Sequence, residues 1–240
     1  MTDLPINELF YSIQGEGLLA GVPSLFIRTS GCNLRCRWCD TPQTSWNPTA
    51  TSLSIQHILQ WAASHPARHA VITGGEPMIQ PAILPLAQAL HRAGLHITIE
   101  TAGTVLPRAD AAQPPLHCDL MSISPKLADS APADDDPRAA GWRDRHNARR
   151  IDTGVLAHLI HNYPVQLKFV LSRTDEIREI DELLQQLPAV SPDRILLMPE
   201  GITTHALAQR SAQLAELCKT RGFRFCPRLH IELWGHRPGV

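Results

Sequence analysis

The run Gly31-Cys32-Asn33-Leu34-Arg35-Cys36-Arg37-Trp38-Cys39-Asp40-Thr41 brings three cysteines into one short loop with the spacing C-x3-C-x2-C. A structural zinc or an electron-transfer iron–sulfur cluster usually takes four protein ligands. Three thiolates bind three irons of a [4Fe–4S] cluster and leave the fourth open to a small chelating cofactor. The plain alternative is a zinc knuckle completed from elsewhere in the chain. Cys118, Cys218, Cys226 and twelve histidines are available for that, but these cysteines form no second C-x2-C pair.

Around this loop the chain reads as one α/β unit. Its 240 residues are 43% hydrophobic, enough for a sizeable core. A net charge of −1 gives no electrostatic footprint for nucleic acid or an anionic membrane. No apolar run approaches the roughly 20 residues of a membrane span, and the mixed polar and apolar stretch Met1 to Phe10 is unlike a signal peptide. Six cysteines without paired spacing outside the loop fit a reducing compartment, so the expected location is cytoplasmic.

Strand-like runs at 24–29, 70–73, 96–100, 116–123, 165–170 and 194–198 alternate with helical periodicity at 54–64, 83–93, 152–162, 175–187 and 203–221. Arg224 to Cys226 adds one short strand. This order predicts a mainly parallel sheet with right-handed crossovers. A closed eight-stranded barrel takes roughly 250 residues, so about six strands predict a partial, open TIM-like barrel. Thr73, Glu100, Ser124 and Lys126 fall at or just after the carboxyl ends of strands, where parallel α/β folds place their active sites. The segment 129–147, rich in Pro, Ala, Asp and Arg, reads as a solvated, mobile loop insertion, and 223–240 as a carboxyl-terminal tail.

The cysteine spacing is similar to the signature of the radical S-adenosylmethionine (SAM) superfamily, which implies a single domain over 1–240. Further motifs resemble the 7-carboxy-7-deazaguanine synthases within it: Tyr11-Ser12-Ile13-Gln14-Gly15-Glu16-Gly17, Cys39-Asp40-Thr41, Thr73-Gly74-Gly75-Glu76-Pro77, Glu100-Thr101-Ala102-Gly103, Ser122-Ile123-Ser124-Pro125-Lys126 and Leu197-Met198-Pro199-Glu200-Gly201. That family contracts 6-carboxy-5,6,7,8-tetrahydropterin to 7-carboxy-7-deazaguanine with loss of ammonia, on the route to queuosine and other 7-deazapurines. The resemblance implies a carbon–nitrogen lyase holding a [4Fe–4S] cluster, SAM and Mg2+. It also implies a homodimer that receives electrons from a donor such as flavodoxin. SAM, chelated at the open iron, would yield a 5′-deoxyadenosyl radical and be regenerated at the end of the cycle.

Residue by residue, the resemblance assigns Cys32, Cys36 and Cys39 to the cluster. Trp38, Cys39, Asp40, Gly75, Glu76, Thr101, Ser124, Pro125 and Lys126 then surround SAM, with the two glycines letting backbone approach its amino group and Lys126 serving its carboxylate or ribose. Thr41 is implied as a Mg2+ ligand, an ion that keeps several waters and needs few protein groups. A hydroxyl capping the turn before Pro42 is the plain alternative. For the pterin, Ile13, Gln14 and Gly15 would offer backbone and amide groups, Glu16 would accept from ring N–H groups, Arg28 would pair with the carboxylate, and Thr73 would assist. Lys168 lies in an apolar strand and is expected to pair with an acid inside the barrel.

Two other classes stay in view. A glycyl-radical activase shares the cysteine spacing but needs a protein-docking surface and neither Gln-Gly-Glu-Gly nor a Mg2+ site. A non-catalytic zinc or iron–sulfur protein needs only the cysteines. The tail Leu229 to Val240 differs from that of some synthases, which leaves open whether His230 or Val240 reaches the site.

Overall fold

The computed structural model describes residues 3–107, 115–139 and 141–240; Met1, Thr2 and Ala140, touched by the readings above, lie outside this set. Its strands are β1 (Asp3–Ile13), β2 (Pro23–Thr29), β3 (Thr51–Ser54), β4 (His69–Gly74), β5 (His96–Thr101), β6 (Leu120–Ile123), β7 (Val165–Leu171), β8 (Ile195–Pro199) and β9 (Arg224–Phe225). Its helices are α1 (Pro42–Ser45), α2 (Ile55–Ala63), α3 (Ile83–Arg92), α4 (Trp142–Asn147), α5 (Thr153–Asn162), α6 (Ile177–Leu184), α7 (Thr204–Arg221) and α8 (Leu229–Trp234). The strands form one sheet in the order β3-β1-β2-β4-β5-β6-β7-β8-β9. All pairings from β2 to β9 are parallel, and the sheet does not close on itself, giving the expected open barrel.

Local chemistry sets the helix ends. Ser54, Asp152 and Thr203 each accept a backbone N–H from the first turn of α2, α5 and α7. Gly222 ends α7 in the left-handed conformation at φ 68°. Alternation along the strands then divides the sheet into two faces. Leu25 and Ile27, Ala70 and Ile72, Ile97 and Ile99, Met121 and Ile123, Leu167, Phe169 and Leu171, and Ile195 and Leu197 join one core with residues of α2, α3, α5, α6 and α7. Their neighbours Arg28, Thr73, Glu100, Ser122 and Lys168 point to the barrel interior, where all five line a common cavity.

Three parts of the sequence reading change. The stretch before the expected first strand is itself a strand: β1 pairs antiparallel with both β2 and β3. Its alternation was illegible because a register shift between Ile6 and Glu8 inverts the faces, with Leu4 and Ile6 buried before it and Phe10 after it. The segment 129–147 is anchored on the cysteine loop, although Ala133 to Asp135 and most of α4 stay exposed. Ser130 and His146 are fully buried, and α4 lies within it. The stretch from Leu116 shortens to a strand that starts at Leu120.

Candidate active site

Held by backbone bonds, the cysteine loop leaves β2 at the carboxyl edge of the sheet. Gly31 N–H donates to Thr44 O at 2.8 Å, and Arg37 N–H to Ser130 O at 2.9 Å. Trp46 Nε1 donates to Cys36 O at 3.0 Å. His146 bridges the loop to the folded segment above it. Its Nδ1 accepts the Arg35 N–H at 3.2 Å, and its Nε2 lies 2.9 Å from Ser130 Oγ, which itself donates to Leu127 O. These partners fix the neutral, Nε2-protonated ring, and burial drops its pKa to about 4. Replacing His146 with Ala leaves the Arg35 N–H without a protein partner, a cost of about 1–3 kcal/mol. The expected result is unchanged cluster loading but faster anaerobic loss of iron to a chelator.

Cys36 is buried, Cys32 and Cys39 are half-buried, and the three pack with Leu34, Trp38 and Ala102. Burial pushes the Cys32 and Cys36 thiols up to about 12, so the polypeptide by itself leaves them protonated at neutral pH. His65 and His69 stand four residues apart but make no metal pair: His65 Nδ1 lies 2.9 Å from Trp61 O, and His69 is held by Ser24 and Thr98.

Beside the loop opens a cavity of about 660 Å³. Of the residues named from sequence, Ile13, Gln14, Gly15, Glu16, Arg28, Trp38, Asp40, Thr41, Thr73, Gly75, Thr101, Ser124 and Lys126 line it. Lys126 Nζ donates to Ser124 Oγ at 2.9 Å and sits 5.5 Å from the centre of the Trp38 ring, which gathers three of the SAM candidates. Glu76 and Pro125 do not line the cavity. Glu76 is fully buried, and its carboxylate accepts from Thr101 Oγ1, Ala102 N–H and Met78 N–H. Burial raises its pKa against those three bonds. Its place is thus to brace the turn after β4 against β5. The Gly74-Gly75 pair is likewise committed first to protein: a Cβ on Gly75 would strike the carbonyls of Gly31 and Thr44, and Gly74 has φ 148°.

Two substrate candidates have internal partners that sequence did not reveal. Gln14 donates from Nε2 to Glu100 Oε1 at 3.1 Å and accepts Glu16 N–H at its Oε1. Its amide keeps one N–H and one lone pair beyond these two bonds. Glu100, seen in sequence only as a strand-end polar residue, also takes the Thr73 hydroxyl at 2.9 Å. Glu16 is ion-paired with Lys168, as expected of that lysine, and with Arg228 Nε at 3.0 Å. Burial opposes its charge, but the two cations together hold its carboxyl well below the usual range. Each oxygen keeps one lone pair for a further donor.

Arg228 was not foreseen. It is nearly buried, and besides Glu16 it binds Asp40 Oδ2 and donates to Gly201 O at 2.7 Å. Burial raises Asp40 and the Arg228 charge outweighs it, leaving Asp40 low. The carboxyl-terminal segment returns over this quartet. Leu229 N–H donates to Gly15 O at 2.9 Å, and the His230 ring fills the space a Cβ on Gly15 would need. Both His230 and Val240 line the cavity, so the tail reaches the site.

Arg28 and Thr41 keep free valence. Arg28 bonds Glu8 through Nε at 3.4 Å, and its terminal nitrogens have no partner among the described residues. Thr41 precedes α1 but makes no side-chain cap, so the capping alternative fails.

The model of the radical SAM superfamily matches residues 26–154. The chain is 46% identical to a 7-carboxy-7-deazaguanine synthase of Halobacterium salinarum, over 98% of this chain and 92% of the relative. It is 45% identical to a synthase of that name from Rhodopirellula baltica, over 100% and 90%. The crystal structure of QueE from Escherichia coli superposes with a TM-score of 0.66 at 29% identity, covering 93% of each chain. With the cysteine loop, the open parallel barrel and the cavity between them, these matches show that the chain belongs to the 7-carboxy-7-deazaguanine synthases of the radical SAM superfamily.

Proposed function

We propose that this cavity contracts 6-carboxy-5,6,7,8-tetrahydropterin to 7-carboxy-7-deazaguanine with loss of ammonia, as a carbon–nitrogen lyase in queuosine biosynthesis. The observation that carries the proposal is Arg28: a cation only 17% exposed, inside the barrel and near the cysteine loop, with its terminal nitrogens open. A substrate carboxylate fits that fork. Cys32, Cys36 and Cys39 hold the [4Fe–4S] cluster, and Gly75, Thr101, Ser124, Lys126, Trp38 and Asp40 surround SAM. When bound, the cluster and SAM supply a carbon radical able to take a hydrogen atom from the substrate.

The protein's own part is to position, neutralise and exclude water. The Gln14–Glu100–Thr73 chain holds the entry segment against the ends of β4 and β5. The Glu16–Lys168–Arg228–Asp40 network keeps opposite charges paired at the cavity wall. Thr41, whose hydroxyl makes no helix cap and only long contacts to Cys39 Sγ at 3.9 Å and Thr44 Oγ1 at 3.5 Å, serves as the protein ligand of a Mg2+ that neutralises the substrate. Homodimerisation and a flavodoxin-type donor rest on the family likeness. A cytoplasmic location is supported by three further thiols that are buried and unpaired, and no helix of the described residues is long and apolar enough to cross a membrane.

The decisive experiment is anaerobic. Reconstituted enzyme with dithionite, SAM, Mg2+ and the carboxytetrahydropterin should form 7-carboxy-7-deazaguanine by mass spectrometry without net loss of SAM. SAM cleavage with the pterin untouched would leave the superfamily standing and remove the substrate. Arg28→Ala should keep its cluster and bind SAM normally while the substrate KM rises roughly 10- to 100-fold, the worth of a charge-assisted pair. An unchanged KM would sink the assignment. For Thr41→Ala, the Mg2+ concentration giving half-maximal activity should rise, with the rate at saturating Mg2+ less affected. An unaltered Mg2+ response would remove Thr41 from the metal.

A further inference from the structure

The amino-terminal ends of the strands, at the opposite end of the barrel from the cavity, carry a second concentration of ligand-type side chains. His91 lies in the last turn of α3, and His117 and Asp119 lie just before β6. Asp119 precedes that strand and Ser122, three residues on, already lines the cavity, so this group is about 10 Å from the cavity wall at 3.3 Å per residue. Among the described residues, theirs is the only set of three His, Cys, Asp or Glu ligand atoms lying within 4.8 Å of one another.

The rings of His91 and His117 stack with centroids 3.5 Å apart and planes 25° from parallel, so their in-plane lone pairs run side by side, and the exposed His91 ring must turn out of the stack to share an ion with His117. Asp119 Oδ2 accepts the backbone N–H of Ile97 at 2.7 Å and lies 3.3 Å from His117 Nε2. One carboxylate is thus pinned to the sheet by a backbone donor beside two imidazoles. Outer bonds of this kind orient metal ligands before the metal arrives. Both described donors use Oδ2, which leaves Oδ1 to face a cation. The neighbouring His69 is not available, because its two ring nitrogens are engaged by Ser24 at 2.7 Å and Thr98 at 2.8 Å.

We infer that His91, His117 and Asp119 form a binding site for one divalent cation of the zinc class, separate from the cluster and from Mg2+. Two imidazoles and one carboxylate suit zinc, cobalt or nickel, whereas Mg2+ and Ca2+ favour oxygen donors alone. Metal–ligand bonds of about 2.0–2.1 Å require ligand atoms about 3.3 Å apart, so closing the site asks for a small approach together with rotation of the His91 ring about its side-chain bonds. His91 is exposed and the other two are half-buried, so water completes the coordination. The ion would join the end of α3 to the start of β6, tightening the barrel without entering the reaction.

The test is titration of Zn2+ into the cluster-loaded enzyme under anaerobic conditions, followed by calorimetry and by the thermal midpoint. Cluster loading keeps the three loop cysteines out of the titration. One Zn2+ per chain should bind, the midpoint should rise by several degrees, and the rate of product formation should not change. His91→Ala should weaken this binding at least about 10-fold. Asp119→Asn should do the same while its side-chain oxygen still accepts the Ile97 N–H, so retained activity and cluster content certify the fold. Wild-type binding no tighter than millimolar, or affinity unchanged in both variants, overturns the site.

Discussion

Cys32→Ala is expected to lose the cluster and all product formation while the polypeptide stays folded. The Cys32 sulfur accepts one loop bond, the Leu34 N–H at 3.4 Å, but the Gly31 and Arg37 N–H groups still fasten the loop to Thr44 and Ser130, and the Trp46 indole still donates to Cys36 O. What the variant loses is one of only three thiolates. Because burial pushes the remaining Cys36 thiol up to about 12, a two-cysteine loop gains no thiolate character from the protein to compensate. Iron and sulfide per chain should fall to background after reconstitution, product should be undetectable by mass spectrometry, and the far-UV spectrum should match wild type. A variant that retains iron and turns over would place a cluster ligand elsewhere.

Arg228→Ala should cost about 3 kcal/mol of stability, the usual scale for removing one member of a buried charge network. The guanidinium meets Glu16, Asp40 and the Gly201 carbonyl at once, so truncation strands groups on three segments. Lys168 still faces Glu16, but nothing replaces Arg228 at Asp40. The pH dependence has a definite sign. Glu16 is held below its ordinary 4.5 and Asp40 below its ordinary 3.8, so the network stabilises fully above pH 4.5 and loses its contribution as pH falls through the depressed folded values. Denaturant midpoints for wild type and variant should therefore converge as the pH drops well below 3.8. An equal gap at neutral and strongly acid pH would assign the loss to packing. Arg228→Lys should recover part of the stability, since one ammonium cannot span three acceptors.

What sequence could show depended on how local each cause is. The cysteine loop, the caps at Ser54 and Asp152, the stop at Gly222 and the strand-end positions of Thr73 and Glu100 are written within a few neighbours. β1 was hidden because its bulge breaks the period of two on which a strand is recognised. The fold of 129–147 was hidden because its anchors, His146 on Arg35 and Asp129 on Arg37, lie 111 and 92 residues away along the chain. Arg228 is the extreme case, with partners 188 and 212 residues distant. The resemblance gives Gln14 and Glu16 to the pterin and Glu76 to SAM; within the chain their first partners are protein groups, which only packing reveals.

The sheet's boundary at β3 has a bearing on solubility. β3 covers β1 only from Asp3 to Ile6, so among the described residues the outer side of β1 from Asn7 to Ile13 has no strand beside it. Unpaired strand margins are templates on which a second molecule can add a strand. The barrel thus remains unclosed, keeping a wide mouth for its ligands, while one margin of β1 stays open to cross-strand association.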